Sequence, residues 1–208
     1  MARFHLALVE GLLEEPMARR LMAEAEIETD GLGLIVAGGC DPFWQRAPNY
    51  NKAAEHVGYV FGLSDLEQHS CPSGLIAEKM PGKLHPRFVL RIQVRELESW
   101  LLADPEAWAA YLKVSAGLVP KDPDTLPDPK RALVNLVRRC RKKSLREDIV
   151  PEEGKPRVVG PGYTTRIGDF ITEHWNPSRA AQRSPSLKRA LLALERVASA
   201  VDCGGESG

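Results

Sequence analysis

Phe4-His5-Leu6-Ala7-Leu8-Val9-Glu10-Gly11-Leu12-Leu13-Glu14 opens the chain. Its apolar run is mostly apolar on both faces, as a central strand of a covered sheet requires. Gly11 permits a sharp turn into a helix. Glu14, Glu15 and Pro16 suit a helix first turn, where acids meet the positive end and proline loses no bond. A carboxylate at the C-terminal tip of a central strand lies where open α/β sheets bind ligands. The remaining sequence is therefore read for what faces Glu10.

Outward from that strand, apolar spacing predicts a helix over 16–28, stopped by Asp30-Gly31. Gly33-Leu34-Ile35-Val36-Ala37 reads as a second strand, 38–51 as a loop and 52–56 as a short helix. Tyr59-Val60-Phe61-Gly62-Leu63 is a third strand ending at Ser64-Asp65-Leu66-Glu67. A short helix over 72–80 is capped near Cys71. Phe88 to Arg95 alternates as a half-exposed fourth strand. Helices follow over 96–102 and from Asp104-Pro105 to about 112. This order predicts an α/β fold, a mainly parallel sheet with helices on both faces.

Prolines 120, 123 and 127 mark a connector, so the expected organisation is a domain over 1–113, a helical C-terminal lobe over 114–203 packed on it, and a disordered tail over 204–208. Helices are expected over 130–143, 163–175 and 185–201, the last capped by Ser184, with a charged mobile loop over 152–162.

The 208 residues suffice for one substantial domain or one domain with a lobe. Net charge is zero, but residues 1–110 carry −6 and residues 111–208 carry +6. A metal centre beside a phosphate-binding surface would give that split, and so would compositional drift. Cys40, Cys71, Cys140 and Cys203 are widely spaced and form no CxxC pair, which argues against a disulfide framework and a zinc ribbon and fits a reducing cytoplasm. His69 and Cys71 lack a second ligand pair for zinc. No leader is expected before Glu10, and no apolar run is long enough to span a membrane.

Acids follow three strand ends: Glu10 with Glu14, Asp65 with Glu67, and Glu96 with Glu98. Asp65 and Glu67, two apart, share a face if the backbone is extended. Converging carboxylates repel, and Mg2+ or Mn2+ relieves the repulsion with oxygen ligation. Such metals can activate water against a phosphodiester. Lys130 is a candidate for stabilising transition-state charge there, or a first-turn surface lysine. Arg138, Arg139, Arg141, Lys142 and Lys143 crowd the end of the 130–143 helix, where cations suit either the helix dipole or a nucleic-acid backbone. Trp100 and Trp108 read as core rather than stacking platforms. Glu14, Glu96 and Glu98 have plain helix-surface readings beside the ligand one.

Glu10-Gly11, followed by strand, helix, strand, helix and strand to Asp65 and Glu67, resembles the Toprim domain of topoisomerases, primases and OLD-family nucleases. The resemblance spans about residues 4–95. It implies magnesium bound by Glu10, Asp65 and Glu67 for phosphodiester chemistry, with Glu14 as the extra acid of OLD-like nucleases. Glu67 departs from the pattern, which usually has aspartate. Topoisomerase action is not expected, because no tyrosine nucleophile domain is evident. The whole chain also resembles the Toprim-like domain of unknown function 4276. The segments are Val9-Glu10-Gly11, Arg95-Glu96-Leu97-Glu98-Ser99-Trp100-Leu101-Leu102-Ala103-Asp104, Asp128-Pro129-Lys130, Gly162-Tyr163, and Trp175-Asn176-Pro177-Ser178-Arg179-Ala180-Ala181 before Ser184-Pro185-Ser186-Leu187. That resemblance implies a separate ATPase subunit as partner and a role in defence against phage DNA.

Three functions are therefore expected in order. The first is a metal-dependent nuclease acting in the cytoplasm on nucleic acid, DNA being favoured over RNA but not separable from it by sequence, with Glu10 and Lys130 as catalytic groups and Glu10, Glu14, Asp65, Glu67, Glu96 and Glu98 as ligands. The alternatives are a non-catalytic module of an ATPase complex and a small-molecule phosphotransferase or phosphatase. Oligomeric state is not legible.

Overall fold

A computed structural model describes the backbone of residues 3–202 and the side chains of 3–200. The expected tail over 204–208 and Cys203 lie outside the described residues. Four strands, β1 (Phe4–Val9), β2 (Gly33–Val36), β3 (Tyr59–Asp65) and β4 (Phe88–Gln93), form one all-parallel sheet in the order β2-β1-β3-β4. The fold is α/β, with helices on both sheet faces, as the alternation of elements predicts. The first strand is central, and Phe4, Ala7, Leu8 and Val9 are fully buried.

Among the described residues the α-helices are α1 (Glu14–Glu24), α2 (Cys40–Val57), α3 (Pro72–Lys79), α4 (Leu97–Leu102), α5 (Pro105–Leu112), α6 (Pro129–Arg138), α7 (Lys143–Ile149), α8 (Tyr163–Glu173), α9 (Pro177–Ala180) and α10 (Pro185–Asp202). Period-two alternation divides the strand residues between two cores. Leu8, Val60, Phe88, Leu90 and Ile92 pack with Phe43, Trp44 and Ala47 of α2 and Leu75 of α3. Ala7, Val9, Phe61, Leu63 and Val89 point the other way, into a larger core reaching from α1 to α10. Phe4 joins that side because the β1–β3 register shifts between Phe4 and Leu6.

Residues after 113 contribute Leu133, Ile149, Ile167, Phe170, Trp175 and Leu194 to this same larger core. Trp108 stacks on Phe170 at 3.8 Å, and both Trp100 and Trp108 are buried core residues. The indole N–H of Trp100 donates to Ser186 at 2.7 Å, and that of Trp175 donates to the Trp100 carbonyl at 3.1 Å. Asp104 is completely buried. It caps α5 through Ala107 N–H at 3.1 Å and takes a two-pronged bond from Arg179 at 2.6 and 2.7 Å.

Several element boundaries differ from the sequence reading. The loop and short helix expected over 38–56 are the single long helix α2. Pro42 sits in its first turn, where no N–H is needed. Pro48 lies in the interior, and burial of Phe43, Trp44, Ala47 and Ala54 outweighs its breaker tendency. The first helix ends at Glu24, not 28. Glu26 takes left-handed backbone at φ +55°, and Ile27 N–H reaches back to Met22 O at 2.9 Å, closing the helix without glycine. The helix expected over 130–143 is broken into α6 and α7. Between them Cys140 is buried, with its thiol on Leu112 O at 3.1 Å and its own carbonyl bonded by Arg146. Finally, β4 is a covered edge strand rather than a half-exposed one, with Gln93 fully buried.

Candidate metal centre

Parallel strands all exit the sheet at one edge, so β1, β3 and β4 deliver Glu10, Asp65 and the 94–98 segment to the same side. Glu10, Asp65 and Glu67 each offer a carboxylate oxygen, and these atoms all lie within 4.8 Å of one another. Glu10 and Asp65 are buried and Glu67 half-buried.

Each side chain has a local reason for its place. The Glu10 N–H donates to Leu63 O at 3.1 Å, and its carbonyl accepts from Gly38 and Gly39 N–H, both at 2.9 Å. Those glycines hold φ of +89° and +131°, values that other residues resist. The Glu10 carboxylate accepts from the Ser64 hydroxyl at 2.6 Å and from Asp65 N–H at 3.2 Å. Glu14 opens α1 and curls back towards the strand tips. Glu14 Oε2 lies 2.8 Å from where a Cβ on Gly11 would stand, so any larger residue at 11 would displace it.

Asp65 ends β3, and Glu67 follows in left-handed backbone at φ +54°. The expectation that extended backbone places both on one face is corrected: the chain turns, and the carboxylates meet by that turn. Glu96 sits at the N-cap of α4, and Glu98, almost fully buried, lies in its first turn. The Tyr163 hydroxyl donates to Glu98 Oε1 at 2.7 Å. Lys130, at the start of α6, places Nζ 3.7 Å from Glu96 and 3.6 Å from Glu98. Those distances exceed a hydrogen bond, so Lys130 acts on the acids as a nearby charge.

Burial and mutual repulsion dominate the electrostatics. Burial, opposed by Ser64, raises the Glu10 carboxyl above its ordinary value. Burial and the charges of Glu10 and Glu98 push Glu14 to about 7. Asp65 is raised by burial and by Glu14, Glu98 and Glu10. Glu96 is raised by burial despite Lys130. Burial opposes the Lys130 charge, yet Glu98, Glu96, Asp65 and Glu67 push its ammonium up to about 12. Asp65 Oδ1, Glu96 Oε2 and Glu98 Oε2 are buried without a hydrogen-bond partner among the described residues. Buried acceptors left unpaired are costly, and an all-oxygen set of this charge fits Mg2+ or Mn2+. The residues present thus fit the metal that the sequence implies.

Beside the acids is a cleft of about 300 Å³ lined by Leu12, Glu14, Asp65, Glu98, Lys130 and Tyr163 among others. Sequence reasoning did not single out Tyr163 or Ser64 as site groups. Tyr163 opens α8 directly after a glycine- and proline-rich loop, and that place, with its part in the Gly162-Tyr163 resemblance segment, is the signal it carried. The basic run lies in exposed backbone around the α6–α7 break, not on one helix end. Arg138 ends α6, Arg139 caps it, Arg141 and Lys142 span the break, and Lys143 opens α7, where it pairs with Glu147 at 3.6 Å. Among the described residues this run forms no ion pair with the acid cluster. Cys40, Cys71 and Cys140 are free thiols, and no described helix is long and apolar enough to cross a membrane.

No family model matches the chain, the expected domain of unknown function 4276 included. No curated protein matches it either. Among solved structures, the C-terminal region of the Burkholderia pseudomallei OLD protein is similar at a TM-score of 0.39 and 16% identity, over 97% of this chain and 99% of that one.

Proposed function

We propose that this chain hydrolyses phosphodiesters in nucleic acid with Mg2+ or Mn2+. The observation that carries the reading is the meeting of Glu10, Asp65 and Glu67 at the strand exits, beside buried oxygens of Asp65, Glu96 and Glu98 that have no hydrogen-bond partner among the described residues. Those three would hold the metal, with Glu14, Glu96 and Glu98 completing the acidic surround. Bound there, such an ion supplies Lewis-acid charge on a phosphate oxygen and lowers the pKa of water. Ser64 fixes the orientation of Glu10, and Tyr163 fixes that of Glu98. Lys130 is the cation that meets the negative charge growing on phosphorus oxygens. The basic run 138–143 is the proposed nucleic-acid contact, because exposed arginines and lysines bind phosphate without regard to sequence.

DNA as the polymer, a separate ATPase subunit, a cytoplasmic setting and a role in phage defence belong to the same proposal. The polymer, the subunit and the defence role are supported by the sequence resemblance alone, and the cytoplasmic setting by the cysteine spacing alone. The test is incubation with plasmid DNA and Mn2+, comparing wild type with Glu10→Ala and Asp65→Ala. Cleavage by wild type and loss in both variants supports the reading. Cleavage unchanged in both removes it. Inactivity with any metal or partner favours a non-catalytic module.

The cleft of about 300 Å³ favours a second reading, a small-molecule phosphatase or phosphotransferase, since small-ligand sites begin near that size. Turnover of nucleotides but not polymers would select it.

A further inference from the structure

Glu67 is the member of the acidic triad with least intrinsic reason to be where it is. It stands two residues past the end of β3, and φ of +54° is a conformation glutamate avoids. One residue holds both of its backbone polar groups. The Arg95 carbonyl accepts from the Glu67 N–H at 3.0 Å and from the Leu66 N–H at 3.0 Å. The Arg95 guanidinium donates to the Glu67 carbonyl at 2.9 Å and to the His69 carbonyl at 3.3 Å. Arg95 N–H in turn donates to Ser99 Oγ at 3.0 Å, inside the helix that carries Glu98. The guanidinium thus makes these bonds to carbonyls, and among the described residues it forms no ion pair. A lone neutralising cation would do the reverse.

We propose that Arg95 is the positioning residue of the metal centre: it pins the 66–69 turn so that the Glu67 carboxylate reaches Glu10 and Asp65, and ties that turn to α4. The role rests on the metal reading above. The guanidinium, which a substitution at 95 removes, holds only the turn that carries Glu67, so a double-mutant cycle with Glu67 isolates its effect.

The experiment measures Mn2+ affinity of the full chain by electron paramagnetic resonance, with thermal unfolding in EDTA confirming that each variant is folded. Arg95→Met should raise the Mn2+ dissociation constant at least ten-fold, and Arg95→Lys by an intermediate factor. In a Glu67→Gln background, Arg95→Met should add less than two-fold. If Arg95→Met does not fold, Arg95→Lys carries the same cycle. A folded Arg95 variant that binds Mn2+ as wild type does, or that loses the same factor with and without the Glu67 carboxylate, overturns the positioning role alone. A wild-type protein with no saturable Mn2+ binding overturns the metal reading, and the role with it.

Discussion

Ser64 donates its hydroxyl to Glu10 at 2.6 Å, joining the tips of the two central strands inside the site. Ser64 is fully buried, so no water replaces the bond if it is lost. A hydrogen bond to a buried carboxylate contributes about 1–3 kcal/mol. Ser64→Ala should therefore lower metal-free stability by about that amount at pH 7.5. Urea unfolding in EDTA reads it, and a midpoint identical to wild type would show the bond to be unimportant.

Metal-free stability should fall as pH rises. Glu14 has a folded value of about 7 against an ordinary 4.5, and Asp65 is raised in the same direction, both chiefly by burial. An acid raised on folding binds more protons folded than unfolded. Its contribution is complete below its unfolded pKa and is lost as pH rises through its folded pKa. The window for Glu14 is therefore about pH 4.5 to 7, and the loss is of the order of 3 kcal/mol. Urea midpoints in EDTA should drop between pH 5 and pH 8. Saturating Mn2+ should oppose the drop, because it binds the deprotonated acids. Midpoints that climb with pH in EDTA would contradict the electrostatic account.

The first strand and its terminal acid were legible because a both-faces-apolar run ending in Glu10-Gly11 has few other readings. Asp65 was legible for the same reason. The structure brings the Glu67 carboxylate beside those of Glu10 and Asp65, but not by the route the local pattern suggests. Strand alternation suggested a shared face with Asp65, whereas the chain turns left-handed there, held by a residue 28 positions later. No local pattern encodes that contact. The second helix was hidden because Pro42 and Pro48 read as punctuation, and only packing against Leu8 and Val60 makes the segment helical. The break at Cys140 was invisible because the apolar spacing continues through it, while its bond to Leu112 O is tertiary.

Asp104 and Arg179 should matter for stability and not for metal. Asp104 holds Arg179 by two bonds, caps α5 and accepts the Asn176 N–H at 3.0 Å. Asp104→Ala removes all of these and strands the donors. Breaking such a buried pair costs about 3–5 kcal/mol, reduced to about 2–4 because Arg179 is partly solvated. Calorimetry should show a Tm lower by roughly 5–15 °C for a chain of this size. Mn2+ affinity of the folded fraction should equal wild type. A weakened metal site in this variant would mean the helical region transmits strain to the strand tips.

Lys130 should have opposite effects on metal binding and on turnover. Its ammonium stands 3.6–3.7 Å from Glu98 and Glu96, and the acids around it hold its pKa at about 12. It therefore stays charged across the working pH range and repels any cation entering the same cluster. Lys130→Met removes that repulsion, so Mn2+ should bind several-fold tighter than to wild type. The same change deletes the group set against charge developing on the phosphate, a loss on the order of 3 kcal/mol, or about a hundred-fold in kcat. Tighter metal binding with slower cleavage is a signature that general destabilisation cannot mimic, since a loosened site loses both. Binding isotherms beside single-turnover rates on one protein preparation separate the cases. Weaker Mn2+ binding in the variant would mean that Lys130 organises the acids rather than competing with the ion, and its place in the chemistry would have to be given up.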